Sequence, residues 1–336
     1  MLMQLCMLLD SFLNKRKLSS LTFIDLFAGI GGFHQALASF GANCVYASEF
    51  DSFAAKIYQK NYGMMPAGDI TKVNEKKIPK HDILCAGFPC QPFSISGKQK
   101  GFEDTRGTLF FDIVRIIDYH HPKIVFLENV ANFEKHDNGR TLKTILQILE
   151  NQNYSVFYKV LNASNFGIPQ NRKRIYIVAF HKKLNIRNFC FPTFSNCYSS
   201  LEKLLQSDDE TLDFSVYRED MELENKSILP DMYGNYPQCP IRIGKVGKGG
   251  QGERIYHPKG HAITLSAYGG GVGAKTGLYY INDKLRRLSP RECARLMGYP
   301  DSFIIDENRN QAYKQFGNGV VIDVLQHILN EIEVVL

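Results

Sequence analysis

A strongly apolar run at residues 22–27, broken only by Asp25, reads as a buried strand, and it ends in the glycine-rich loop Ala28-Gly29-Ile30-Gly31-Gly32. Helical spacing follows over 33–40. A second short strand at 44–47 is closed by Glu49, with another helix over 51–62. Residues 81–88 and 123–127 read as further strands separated by a helix at 109–119. A helix at 141–150 and a strand at 174–180 complete the series. Strands alternating with helices of this length predict an α/β fold, a doubly wound and mostly parallel sheet. From about 185 to 287 the periodicity fades into prolines, isolated charges and a glycine cluster at 244–277, which predicts a smaller loop- and strand-rich domain. Helical periodicity returns at 289–297 and 320–332. The expected division is therefore 1–200, 201–288 and a 289–336 return onto the first domain, with no internal repeat.

Composition narrows this picture only slightly. At 336 residues the chain can form one large domain or two moderate ones, and a formal charge of +6 suits a polyanionic partner without requiring one. None of the eight cysteines forms a Cys-x-x-Cys pair, so neither a structural zinc site nor a disulfide framework is expected, and a reducing cytoplasm is the natural setting. The apolar run at 1–13 is interrupted by Asp10 and followed by basic residues, the reverse of a signal peptide. No stretch is long enough to span a bilayer.

The first loop points to a nucleoside. Ligands of such sheets sit beyond the carboxyl ends of the strands, where glycines admit a ligand close to backbone amides. Gly29, Gly31 and Gly32 are bunched more tightly than the dinucleotide pattern Gly-x-Gly-x-x-Gly, which argues against a dehydrogenase. Glu49 can take both hydroxyls of a ribose, Asp69 can accept from an adenine amino group, and Phe27 and Phe50 offer flat faces for the ring. An adenosine without a long phosphate tail indicates S-adenosylmethionine. The alternative is a tight turn whose glycines serve packing alone.

The reactive candidates are Cys90 in Gly87-Phe88-Pro89-Cys90-Gln91-Pro92-Phe93-Ser94, Glu128 in Glu128-Asn129-Val130, and Arg172 and Arg174 in Gln170-Asn171-Arg172-Lys173-Arg174. A nucleophile, an acid and two guanidiniums suit attack on an electron-poor pyrimidine. A thiolate adding at carbon-6, with protonation at N3, makes carbon-5 of cytosine nucleophilic. A free thiol has a pKa of about 8.5, so a cationic neighbour such as Arg172 or Arg174 favours the thiolate. A duplex hides the target atoms, which requires the base to be flipped out. The plainer readings are a core cysteine and a solvated carboxylate. The emergence of both at strand ends weighs against them.

In this order the motifs resemble the cytosine-C5 DNA methyltransferases over nearly the whole chain, through residues 25–32, Glu49, Gly68-Asp69-Ile70, Pro89-Cys90-Gln91, Glu128-Asn129-Val130, 170–174 and Phe316-Gly317-Asn318. The resemblance implies a cofactor set of Phe27, Ala28, Gly29, Gly31, Gly32, Glu49, Phe50, Asp69, Ile70, Pro89, Leu109, Asn318 and Val320. It also implies a mobile catalytic loop at 93–104 and a target-recognition domain within 201–288. The segments 247–256 and 263–271 are similar to those of members that methylate the inner cytosine of GCGC. Ser94, Ser96, Lys98, Arg106, Gln251, Arg254, Thr264 and Tyr268 are the implied DNA contacts. Gln251 is flanked by glycines and can pair with an orphaned guanine, and Arg254 suits bidentate reading of guanine O6 and N7. Lys98, Lys100, Arg106, Lys245 and Lys248 are candidates for phosphates, against the plain alternative of a solvated surface.

The implied protein is a monomeric, cytoplasmic modification enzyme of a restriction-modification system that acts on double-stranded DNA. Phe50 in place of the family's tryptophan, Gly319 in place of a serine, and changes at His257-Pro258-Lys259 and Val272-Gly273 depart from the pattern. A transfer-RNA cytosine methyltransferase on the same scaffold is the next reading, to be separated by comparing methyl incorporation into duplex DNA and tRNA. A non-catalytic DNA-binding homologue is the third, to be separated by DNA binding without methyl transfer.

Overall fold

The computed structural model describes residues 17–89, 109–193, 198–224, 228–268 and 271–336. Six strands form the main sheet: β1 (Thr22–Leu26), β2 (Asn43–Ser48), β3 (Ile83–Gly87), β4 (Ile124–Val130), β5 (Tyr154–Asn162) and β6 (Lys173–His181). Their spatial order is β2-β1-β3-β4-β6-β5. The first four pair in parallel, whereas β6 runs antiparallel to both β4 and β5. The mostly parallel α/β sheet predicted from the periodicity is therefore present, with an antiparallel edge.

Alternating side chains explain why the strands read as continuous apolar runs. Phe23, Cys85, Phe126 and Val178 point into one apolar cluster, and Ile24, Leu84, Val125 and Ile177 point into the other. Both faces are covered, as parallel strands require. Helices α1 (Gly32–Ser39), α2 (Ser52–Tyr62), α3 (Leu109–His120) and α4 (Arg140–Asn151) make the connections between them. Because the chain leaves β1 toward β2 and returns across it to β3, a crevice opens beyond the carboxyl ends of β1 and β3.

The second, five-stranded sheet has the order β11-β10-β9-β8-β7, from β7 (Glu222–Leu223), β8 (Ile241–Lys245), β9 (Arg254–His257), β10 (Leu278–Ile281) and β11 (Lys284–Arg286). Ile243, Val246, Ile255, Leu278 and Leu285 form its own small core. Tyr256, Leu265 and Tyr279 instead face the main core, so the two sheets share a packed seam. After β11 the chain returns through α5 (Pro290–Leu296), α6 (Arg309–Asn318) and α7 (Ile322–Val335). Helix α5 starts with a capping box in which Ser289 and Glu292 exchange hydrogen bonds. Glu292 also takes a bidentate pair from buried Arg286, both contacts at 2.8 Å, which fastens the end of the second sheet to the main body.

Two elements were not visible in the periodicity. Strand β5 lies at the sheet edge, where only Tyr154 and Leu161 are buried and Tyr158 and Lys159 are exposed, so the apolar run is broken. Helix α6 is polar along most of its length and starts from an Asn308 cap rather than from an apolar stripe. Among the described residues no helix is long and apolar enough to cross a membrane.

Candidate active site

The glycine loop owes its path to left-handed backbone. Gly31 has φ +88°, and a Cβ there would lie 2.2 Å from the Tyr62 ring, so only glycine fits. Gly29, with φ +56°, faces open space. Its N–H donates to Glu49 Oε2 at 2.7 Å, and the Asp51 N–H donates to Oε1 at the same distance. Two backbone donors thus hold the Glu49 carboxylate at the mouth of the crevice. Burial pushes its pKa upward, and the amides of Asp51 and Gly29 pull against that shift.

The crevice encloses a cavity of about 700 Å³. Phe27, Gly29, Glu49, Phe50, Asp69 and Ile70 line one end, Glu128 and Arg174 line the other, and Pro89, Leu109, Asn318 and Tyr268 also stand on its wall. Phe50 is 78 % exposed, which is unusual for a phenylalanine and leaves its ring free as a stacking face. Asp69 accepts from the Thr71 N–H at 3.0 Å, which aims the carboxylate along the cavity rim. This donor set fits an adenosine: a flat apolar face, one carboxylate for a ribose diol, another for an exocyclic amine, and an open glycine backbone. Ala28, Gly31, Gly32 and Val320 do not line the cavity. They shape it from behind, with the Val320 carbonyl 3.1 Å from where a Gly32 Cβ would stand. Glu49→Gln is expected to raise KM for S-adenosylmethionine roughly tenfold or more, the scale of one charge-assisted hydrogen bond, with a smaller change in kcat. Steady-state kinetics with varied cofactor checks it.

At the other end, Glu128 sits inside β4 rather than after it and is only 7 % exposed. Its register partner on β3 is Gly87, where a Cβ would stand in ordinary van der Waals contact, 3.7 Å from Glu128 Oε2. Arg174 Nε lies 3.1 Å from Glu128 Oε1. Burial raises the Glu128 pKa and outweighs the lowering by Arg174 and Arg172. Asn129 Nδ2 donates to the Phe88 carbonyl at 2.9 Å, tying β4 to the segment that leads into Cys90.

Cys90, Ser94, Ser96, Lys98 and Arg106 lie outside the described residues. Arg172 is placed differently from a cavity residue: it is 2 % exposed and its guanidinium donates to backbone carbonyls behind the wall. Gln251 and Arg254 are near one another at the start of β9, both at the surface. Thr264 is exposed and donates from Oγ1 to the Asn171 carbonyl. Tyr268, expected only as a DNA contact, is 74 % exposed and also lines the cavity. The sequence reading missed Lys314, which lines the cavity and pairs with Asp51 at 2.7 Å across 263 residues of chain. No local signal marks a lysine on a polar helix whose partner lies that far away.

The chain belongs to the C-5 cytosine-specific DNA methylase family, whose model matches residues 21–334, and it is a DNA (cytosine-5) methyltransferase that uses S-adenosylmethionine. It is similar to the type II methyltransferase M.HhaI of Haemophilus parahaemolyticus, 56% identical over 316 residues that cover 94% of this chain and 95% of that protein. The type II methyltransferase M.HpaII of Haemophilus parainfluenzae is 44% identical over 326 residues, covering 91% of this chain and 87% of its own. Among solved structures, the Dnmt2 methyltransferase of S. pombe shares the fold, with a TM-score of 0.67 at 21% identity over 94% of this chain and 98% of that one.

Proposed function

We propose that the protein is the modification methyltransferase of a type II restriction-modification system and methylates carbon-5 of the inner cytosine of GCGC in duplex DNA, acting as a cytoplasmic monomer. The observation that carries this reading is a single cavity with adenosine-type donors at one end and the Glu128–Arg174 pair at the other. Its wall is completed by Pro89, the residue before Cys90. Phe27, Glu49, Phe50, Asp69, Ile70 and Asn318 hold S-adenosylmethionine, which supplies an electrophilic methyl group. Cys90 adds through Sγ to carbon-6 of a flipped-out cytosine while Glu128 gives its proton to N3, so the ring electrons become available at carbon-5. Arg174 holds the exocyclic oxygen and the Glu128 carboxyl together. Once carbon-5 is substituted, its proton passes to solvent, the ring double bond is restored as the Cys90 thiolate leaves, and N3 returns its proton to the Glu128 carboxylate.

Residues 1–200 form the catalytic and cofactor-binding domain in this reading, 201–288 the target-recognition domain and 289–336 the return. Arg254 reads a guanine from the start of β9, Gln251 fills the place of the flipped base, and Thr264 and Tyr268 flank the base on the recognition side. Ser94, Ser96, Lys98 and Arg106 approach from the catalytic loop. Arg254→Met is expected to cost about 1–3 kcal/mol at one guanine and to relax selection there, while phosphate contacts make binding fall with salt by a slope of about 0.9 per phosphate neutralised. Competition binding with single-base-substituted duplexes across a salt series reads both. The reading as a whole is tested by methylating an unmethylated plasmid and mapping protected cytosines by bisulfite. Protection at the inner cytosine of GCGC supports it. Protection at another sequence removes the specificity, and incorporation into tRNA alone removes the substrate.

A further inference from the structure

Two buried polar side chains of the segment before β6 hold three separate parts of the chain together. Arg172 Nη1 donates to the Leu265 carbonyl at 3.0 Å, and Nη2 donates to the carbonyls of Gly317 at 3.0 Å and Gly319 at 2.5 Å. Gln170 Oε1 accepts from the Leu265 N–H at 3.2 Å, while its Nε2 donates to the Leu296 carbonyl at 2.9 Å. Backbone bonds reinforce this seam: the Asn171 N–H donates to the Ala262 carbonyl at 2.9 Å, and the Ala262 N–H donates to the Pro169 carbonyl at 2.7 Å. The approach is close enough to demand glycine. A Cβ on Gly317 would stand 2.1 Å from the Ala267 nitrogen and 2.3 Å from the Ser266 carbonyl carbon.

The parts joined here have different tasks. Leu265 lies between Thr264 and Tyr268, on the segment read above as facing DNA. Gly317 and Asn318 stand on the cavity wall. We propose that Arg172 is a positioning residue that couples cofactor binding to DNA binding, by fixing the recognition segment 262–268 against the 317–319 wall. The inference rests on the reading of that segment as DNA-recognising. Arginine suits the task because its planar fork presents several donors in fixed directions, so one buried side chain satisfies three carbonyls from two elements. A lysine nitrogen on a flexible stem cannot span them. Any shift of the recognition segment on DNA is thereby transmitted to the Gly317 and Gly319 carbonyls, and a shift of the wall is transmitted back, since such coupling is reciprocal.

The experiment is calorimetric titration of the full-length enzyme with S-adenosylhomocysteine, alone and with saturating duplex carrying the site found by bisulfite mapping. The wild type is expected to bind the cofactor product at least roughly fivefold tighter when DNA is bound, the lower end of ordinary allosteric coupling. Arg172→Lys, shown to be folded by its thermal melt, is expected to bring that ratio within about twofold of unity. Gly317→Ala, which wedges the same seam while leaving the guanidinium in place, is expected to do likewise, and it carries the test alone if Arg172→Lys does not fold. Preserved coupling in either folded variant overturns the proposal. An Arg172→Lys enzyme that keeps the ratio but loses kcat identifies Arg172 as a group that touches the base. A wild type that binds duplex without coupling also overturns the inference and leaves the DNA reading intact. A wild type that holds no duplex defeats the DNA reading itself, and the inference with it.

Discussion

Cys90→Ser is expected to lower methyl transfer by roughly four orders of magnitude or more while leaving duplex affinity within about threefold, because removal of a covalent nucleophile is among the largest single effects in enzymes. A thiol with a pKa of about 8.5 is a few per cent thiolate at neutral pH, and cationic neighbours increase that fraction. A serine hydroxyl ionises far above the working pH and has no comparable reactive form. Arg174 stands on the same cavity wall as Pro89, the residue before Cys90. Methyl incorporation from radiolabelled cofactor, run beside anisotropy binding to the same duplex, separates chemistry from binding. Activity within tenfold of wild type would remove Cys90 as the nucleophile, and with it the covalent route.

Glu128→Gln is expected to lower kcat by about 10²–10⁴-fold, the usual worth of a positioned proton donor, because the amide keeps the shape and loses the proton. The pH dependence follows from burial. Removal from water raises the Glu128 pKa, and the two guanidiniums only partly oppose this, so the protonated form persists above the ordinary carboxylate range. Wild-type kcat is therefore expected to be sustained at lower pH and to fall as pH rises through the folded-state pKa, whereas the residual activity of the variant lacks that limb. Stability carries the same sign. A carboxyl whose pKa is raised by folding contributes stability below its unfolded pKa and loses that contribution as pH rises through the folded one. The melting temperature of Glu128→Gln relative to wild type should thus increase from pH 5 to pH 9. A constant difference across that range would show that Glu128 titrates as an ordinary exposed carboxyl.

The family match bears out the resemblance read from the motifs, but the motifs differ in how much they disclose by themselves. The glycine loop and Glu49 were legible because each directly follows a strand, and strand ends of a doubly wound sheet share one edge, whereas Asp69 follows no strand and instead caps a short 3-10 helix at Ile70–Lys72. Glu128 was legible for the same reason, although β4 extends through Val130 and carries Glu128 within the strand. Arg172 and Arg174 were indistinguishable in sequence, two residues apart in one basic run. Tertiary structure separates them: Arg174 is on the cavity wall beside Glu128, and Arg172 is turned into the seam. Strand β5 and helix α6 escaped detection because one is half-exposed at an edge and the other is mostly polar.

The sequence by itself determined the layered α/β architecture and the break in character near residue 185, and it supplied the candidates for the acid, the nucleophile and the cofactor carboxylates. These depend on local periodicity and on residue chemistry, which act over a few positions. Only the tertiary structure decided that Lys314 meets Asp51, that Gly317 admits the backbone of Ala267, and that Arg172 joins carbonyls from two distant segments. Such contacts depend on which surfaces the two sheets and the returning helices bring together. No spacing along the chain encodes a partner chosen by packing across hundreds of residues.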